Sequence, residues 1–125
     1  MSAESRAAHI SDFEIGTPEG RRWAQVRATF GISAFGANVM NLPPDYSTRS
    51  HDESGSGQEE LYVRLAGSGW VVLDDSGEKL ALDEEHLCAV GPGTARALAS
   101  GPEGLRVLIV GSAPGRGYEP VDYGS

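Results

Sequence analysis

The sequence predicts an all-β domain, a sandwich or a barrel made of many short strands. Two observations support this class. Turn-forming residues are frequent, with 17 Gly and 7 Pro among 125 residues, so the chain must reverse direction often. The apolar runs between these turns are short and have the length of strands rather than helices. These patterns alone do not separate a jelly roll from an immunoglobulin-like sandwich.

The N-terminal part of the chain is predicted to differ from the rest. Residues 1–12 are polar and small, and we expect a flexible segment there. One short helix is predicted over residues 19–30, after Pro18 and before Gly31. Its apolar spacing of three to four residues is carried by Trp23, Val26 or Arg27, and Phe30.

Short strands are predicted throughout the middle of the chain. They cover residues 32–42, 59–66, 70–73, 79–82, 87–90, 96–99 and 105–110. Pro43 and Pro44 end the first of them. The run from Asp74 to Gly77 has the composition of a hairpin turn, and the run from Gly101 to Gly104 separates the last two strands.

Composition excludes several classes of protein. A net charge of −8 argues against a nucleic-acid partner, because phosphate backbones are bound by clustered Lys and Arg. A single cysteine, Cys88, excludes an internal disulfide framework. No apolar run approaches the ~18 residues of a membrane span, and no secretory signal is visible. We therefore expect one cytoplasmic domain without a membrane partner.

A two-part motif lies in the middle of the chain. Its segments are His51-Asp52-Glu53, then Gln58 to Val63 with Gly67, then Val90 to Arg96. This order and spacing resembles the two motifs of the cupin superfamily. In that resemblance His51 stands at the first His, and Glu60 stands at the Glu, because six residues separate it from Gly67. Glu53 stands where the second His is expected, and Arg96 occupies the position of the last His.

The resemblance covers roughly residues 31–111 and implies a double-stranded β-helix, the jelly-roll barrel of cupins, which often hold one metal ion in the barrel mouth. We expect one cupin domain over residues 13–125, with a motif core at 31–111 and a tail at 112–125. That tail is predicted to wrap the surface through Tyr118, Val121 and Tyr123. Because cupins commonly form dimers, a homodimer that buries part of residues 13–40 is predicted.

The chain also resembles a group of stand-alone cupins, common in actinobacteria, that have no assigned activity. Three segments carry this second resemblance. They are Gln58 to Tyr62, Pro92 to Arg96, and Pro114-Gly115 with Tyr118-Glu119-Pro120.

Side chains alternate along a strand, so the two faces of the strand after Gln58 have different character. One face carries polar groups and should line a cavity or an edge; it consists of Glu60, Tyr62, Arg64 and Ala66. The other face is expected to pack into apolar material; it consists of Leu61, Val63 and Leu65. A carboxylate inside a barrel needs a compensating partner, which is either a metal ion or an arginine.

Two functional classes remain open. In the first, the protein is a cupin of unassigned activity that binds a small molecule, including an anionic one, in the barrel mouth. Its ligand-binding residues would be Glu60, Tyr62, Arg64, Arg96 and His51. In the second, it is a metal-dependent enzyme of the dioxygenase, isomerase or decarboxylase type.

One divalent ion (Zn, Fe, Mn or Ni) would then lie on His51, Glu53 and Glu60. We favour the first class, without a cofactor, because the ligand set is incomplete and Arg96 cannot coordinate a metal. Arg96 is predicted to pair with Glu60 in place of the ion. No complete catalytic set is visible, so whether the protein is an enzyme stays open.

Overall fold

The computed structural model describes residues 5–13, 15–16 and 22–115. Within these ranges the chain forms a 3-10 helix, one short α-helix and seven strands. In chain order they are the 3-10 helix Ile10–Asp12, β1 (Ile15–Gly16), β2 (Arg22–Ala24), α1 (Val26–Phe30), β3 (Gly36–Leu42), β4 (Glu59–Leu73), β5 (Lys79–Leu82), β6 (Cys88–Val90) and β7 (Arg96–Ser112). The predicted all-β class with one short N-terminal helix is confirmed.

Two long antiparallel strands, β4 and β7, organise the fold. They pair from Glu59 opposite Ser112 to Leu73 opposite Arg96. β4 also pairs with β6 near its N-terminal end and with β5 near its C-terminal end. β7 also pairs with β3 along its C-terminal half. The strand order is β1-β2-β3-β7-β4-β5, with β6 also on β4. The sheet thereby rolls into two facing layers, the predicted double-stranded β-helix.

The two long strands correct the prediction of four shorter ones. The chain was expected to leave the sheet at residues 67–69 and 101–104, but both segments continue their strands as bulges. On β7, residues 101–104 lie opposite Ser68 alone. A Cβ on Gly67 would lie 2.1 Å from the carbonyl oxygen of Gly104. Glycine here therefore permits close approach of two backbones at a bend, which sequence reasoning interpreted as a turn.

The predicted helix over residues 19–30 is also wrong at residues 22–24, which form β2. Within the described residues, α1 has only five residues and ends at Gly31, whose φ of 71° gives the expected left-handed cap. Trp23, predicted to be helical, belongs to β2, which pairs with β3. Pairing with β2 satisfies backbone hydrogen-bonding groups along the edge of β3. This tertiary interaction outweighs the local preference for a helix that the apolar spacing indicated. Residues 17–21 lie outside the described part.

Part of the segment predicted to be a flexible lead-in contacts the domain. Arg6 donates a hydrogen bond to the carbonyl oxygen of Thr29 over 3.1 Å. Phe13 packs edge-on against Phe30, with ring centroids 5.3 Å apart. Phe13 and Val39 belong to a small apolar cluster, and Ala8 and Ile10 of the predicted lead-in pack against it together with Phe30. Residues 1–4 and 116–125, including Tyr118, Val121 and Tyr123 of the predicted tail, lie outside the described residues.

The main core fills the space between the two layers. Its buried members are Met40, Leu42, Tyr62, Val71, Leu82, Cys88, Val90, Leu98, Leu105 and Val107. Cys88 is a free, buried thiol, in agreement with the single-cysteine argument. In the described part of the chain, no helix has the length and apolar composition that crossing a membrane requires.

The outer face of β4 contradicts one expectation. Leu61 and Leu65 were expected to pack into apolar material, yet they are 39% and 43% exposed. The polar residues Glu60 and Tyr62 on the alternate face are buried instead. Their burial is possible because both interact with the Arg96 side chain inside the barrel.

Candidate functional site

A cavity of about 200 Å³ lies between the two layers of the barrel. Its wall combines side chains from β3, β4, β7 and the connection between β3 and β4. The residues that line it include Asn38, Met40, Thr48, Arg49, His51, Gln58, Glu60, Tyr62, Arg96, Ala97, Leu98 and Ile109. Of the five ligand-binding residues predicted from the sequence, four line this cavity: Glu60, Tyr62, Arg96 and His51.

A buried cluster of three side chains forms one part of the cavity wall. Arg96 Nη2 lies 2.6 Å from Glu60 Oε1, and Arg96 Nε donates to Tyr62 Oη over 3.2 Å. Tyr62 Oη in turn donates to the same Glu60 oxygen over 2.6 Å. Burial raises the pKa of Tyr62, and the adjacent Glu60 carboxylate adds to the effect, so the phenol stays protonated. The predicted pairing of Glu60 with Arg96 is present.

Arg96 also holds the turn that precedes it. Its Nη1 group donates to the carbonyl oxygens of Gly91, over 3.2 Å, and Thr94, over 2.8 Å. Its backbone forms a bridge with His51, with N–H···O distances of 2.8 and 2.9 Å. The guanidinium therefore links Glu60 and Tyr62 to the turn at Gly91 and Thr94, while the Arg96 backbone holds the loop at His51. The Arg96 side chain is 1% exposed.

His51 and Glu53 lie next to each other, but in different environments. His51 Nε2 is 3.2 Å from Glu53 Oε2, and the His51 side chain is 42% exposed while that of Glu53 is 2% exposed. Ser56 Oγ donates to Glu53 Oε1 over 2.8 Å. Burial opposes ionisation of Glu53, but the hydrogen bonds from His51 and Ser56 outweigh it and lower its pKa. The His51 side chain therefore faces solvent, whereas the Glu53 side chain of the same loop is buried.

The predicted metal-ligand set converges in space. One ligand atom from each of His51, Glu53 and Glu60 lies within 4.8 Å of the other two. Three protein ligands is the number found in many catalytic metal sites. However, Glu60 Oε1 already accepts from Arg96 and Tyr62, and the guanidinium charge repels a cation. The arrangement shown thus fits a divalent ion poorly.

Arg64, the fifth predicted ligand-binding residue, does not line the cavity. Its Nε donates to the carbonyl oxygen of Gly67 over 2.7 Å, and its Nη2 lies 3.9 Å from exposed Glu84. The register of β4 against β7 shifts between Arg64 and Ala66. Arg64 belongs to the last regular pair before this shift and opposes Val107, so alternation places it on the face of Tyr62, but its side chain bonds to Gly67 instead of lining the cavity.

Other segments contribute polar residues to the cavity that the sequence pattern did not predict. Asn38 lies on β3, while Thr48 and Arg49 lie in the connection that follows. Gln58, 3% exposed, immediately precedes β4. Asn38 had a detectable signal, since it is a polar residue between Ala37 and Val39 of an apolar strand. For Thr48 and Arg49 only their position after a strand was visible, which is weak evidence.

Comparisons with known proteins are consistent with this architecture. No family model and no curated protein matches the chain. Solved structures do match it. A polyketide cyclase from Streptomyces resistomycificus has a TM-score of 0.72 and 19% identity, over 86% of this chain and 79% of that chain.

A cupin protein from Bacteroides fragilis has a TM-score of 0.69 and 15% identity, over 98% and 92% of the two chains. A predicted oxalate decarboxylase from Thermotoga maritima has a TM-score of 0.68 and 19% identity, over 86% and 99%. The chain therefore has the double-stranded β-helix fold of the cupin superfamily.

Proposed function

We propose that the protein binds a small organic molecule in the barrel cavity and that it does so without a metal ion. One observation carries this proposal. The cavity is bordered by a buried carboxylate whose charge is already balanced by Arg96, 2.6 Å away. An ion is therefore not needed to make burial of Glu60 tolerable.

The chemical character of the wall agrees with this function. Apolar surface comes from Met40, Leu98 and Ile109, and polar groups come from a few side chains, among them Asn38 and Gln58. Small-molecule sites typically combine an apolar wall with a few placed polar groups. A cavity of about 200 Å³ suits a ligand of few atoms, as expected for a small barrel.

The charge of the ligand follows from where the arginines lie. Arg96 is paired with Glu60, and Arg64 lies outside the cavity, so neither provides uncompensated positive charge there. Arg49 lines the cavity and is exposed. An acidic group on the ligand would accordingly lie near Arg49 at the rim, while the interior suits neutral groups.

A cavity-filling substitution tests this function. We expect a screen of small organic molecules to yield compounds that raise the melting temperature of the wild type but not of Asn38→Phe, because Asn38 lines the cavity and the new ring would occupy it. Ala89→Phe is the matched control, because Ala89 is exposed on β6 and its ring would leave the cavity open. Compounds that stabilise all three proteins equally would bind elsewhere and would count against the proposal.

A second candidate function is that of a metal-dependent enzyme, favoured by the convergence of His51, Glu53 and Glu60. The solved structures with this fold include a polyketide cyclase and a sugar phosphate isomerase, which differ in activity. No one of these activities is preferred for this chain. Near-stoichiometric zinc, iron, manganese or nickel in protein purified without chelators would place this candidate first.

A further inference from the structure

The two oxygen atoms of the buried Glu60 carboxylate differ in their hydrogen bonds. Oε1 accepts hydrogen bonds from both Tyr62 and Arg96. Oε2 accepts none within the described part of the chain. Glu60 is 6% exposed and lines the cavity. An unmatched acceptor on a buried carboxylate is unfavourable, so a donor inside the cavity would be bound strongly.

The charge of the cluster determines what kind of donor fits. Arg96 already balances the negative charge of Glu60, and Tyr62 is neutral because burial and Glu60 raise its pKa. A cationic donor would gain little net attraction and would be repelled by the guanidinium. A neutral donor makes the hydrogen bond without adding charge to the cavity.

Arg96 narrows the choice further. Its Nη2 group donates to Glu60 Oε1, and its other Nη2 hydrogen has no acceptor within the described part of the chain. A hydroxyl group both donates and accepts. It can donate to Oε2 of Glu60 and accept from this hydrogen, whereas an ammonium group can only donate.

We propose that the cavity selects ligands that carry a hydroxyl group, alcohols or phenols, which donate to Glu60 Oε2 while their apolar body contacts Met40, Leu98 and Ile109. This inference rests on the proposed small-molecule function and adds the chemical class of the ligand. Glu60 then acts as a specificity-determining acceptor for the ligand.

A pair of probes of equal shape tests this selection. para-Cresol and para-xylene differ only in a hydroxyl against a methyl group. Transfer from water to an apolar cavity favours xylene, since the hydroxyl must be desolvated. If Glu60 receives the hydroxyl, cresol should instead bind at least about tenfold more tightly, as expected for a hydrogen bond to a charged acceptor. Dissociation constants from NMR titration measure the ratio.

Two variants test whether the Glu60 carboxylate causes the preference for cresol over xylene. Glu60→Gln replaces the carboxylate by an amide, and the cresol preference should fall to about onefold or reverse. Glu59→Gln, an exposed neighbour on β4, should retain the wild-type ratio. Thermal unfolding checks that both variants fold; if Glu60→Gln does not, the wild-type ratio alone decides.

The contrary outcomes are distinct. Equal binding of cresol and xylene, or tighter binding of xylene, would overturn the hydroxyl selection and leave the small-molecule function intact, with water then occupying the position at Oε2. Tighter binding of benzylammonium than of cresol would overturn the argument for a neutral donor. No binding of either neutral probe would also reject this ligand class, whereas the proposed function itself is tested by the Asn38→Phe screen.

Discussion

Arg96 Nη2 lies 2.6 Å from Glu60 Oε1, with the two side chains 1% and 5% exposed. The partners come from β7 and β4, strands that are neighbours in the sheet but distant in sequence. Removing either partner would leave an uncompensated charge in the barrel. The pair is therefore a structural requirement as well as a feature of the cavity wall.

Arg96→Ala should destabilise the protein by about 3–5 kcal/mol, because it strands the buried Glu60 charge and releases the carbonyl groups of Gly91 and Thr94. Urea unfolding in the presence of a chelator measures this change without interference from metal. Arg49→Ala, which removes an exposed arginine of the same cavity, should change the free energy of unfolding by less than about 0.5 kcal/mol. Equal stabilities of the two variants would show that the buried pair is unimportant.

Arg96→His should convert the site into a metal site. The new imidazole would join His51 and Glu60 as a third ligand and remove the repelling charge. Protein purified without chelators and analysed for zinc, iron, manganese and nickel should contain near-stoichiometric metal in this variant and little in the wild type. A fully loaded wild type would contradict the ion-pair account and would make His51, Glu53 and Glu60 the first residues to mutate.

Glu53 should give the stability a dependence on acid pH. Its pKa lies below the ordinary value of 4.5, because hydrogen bonds from His51 and Ser56 outweigh the effect of burial. A lowered pKa in the folded state stabilises the fold above pH 4.5, and this contribution is lost as the pH falls through the folded-state value.

Urea unfolding of the wild type and Glu53→Gln from about pH 7 to about pH 3 measures this contribution. The wild type should be more stable at the upper end, and the difference should shrink in the acid range. Glu59→Gln, an exposed neighbour on β4, should show a smaller difference. A difference for Glu53→Gln that is independent of pH would contradict the assignment.

Gly67→Ala should be far more disruptive than Gly77→Ala, although both glycines have a positive φ, of 70° and 72°. The strain of an L-residue in this conformation costs roughly 1–2 kcal/mol in both variants. A Cβ at position 67 would in addition lie 2.1 Å from the Gly104 carbonyl oxygen, whereas at position 77 it meets nothing within 4 Å. Denaturant midpoints that drop equally would show that the close approach at the bend is not essential.

A homodimer remains a prediction. Phe35, in the segment predicted to form the interface, is 38% exposed, whereas Phe30 packs against Phe13 within the chain. Light scattering should give twice the chain mass of 13.2 kDa at micromolar concentration, and Phe35→Asp should shift this mass towards the monomer. A monomeric wild type would contradict this prediction.

The pairing of Glu60 with Arg96 was predictable because each residue stands at a recognisable place in the motif, relative to Gly67 and to Pro92-Gly93. In the resemblance Glu60 keeps the Glu position and Arg96 replaces the last His, and both are ligand positions of one site, so the carboxylate and the guanidinium were expected to meet. The strand-rich class was predictable for a related reason, since turn residues and strand-length apolar runs are local properties of a chain.

Only the tertiary structure decided the features that depend on two distant segments meeting. β4 and β7 remain paired on both sides of the bends at Gly67 and Gly104, where their backbones approach each other closely. Arg64 does not line the cavity because its guanidinium bonds to the carbonyl oxygen of Gly67 at the bend.

The burial of Glu53 and the contribution of Gln58 to the cavity likewise arise from packing of one loop against the barrel. The sequence by itself therefore determined the class of fold and one buried charge pair. The register of distant strands, which no local pattern encodes, decided the shape of the cavity and which side chains enter it.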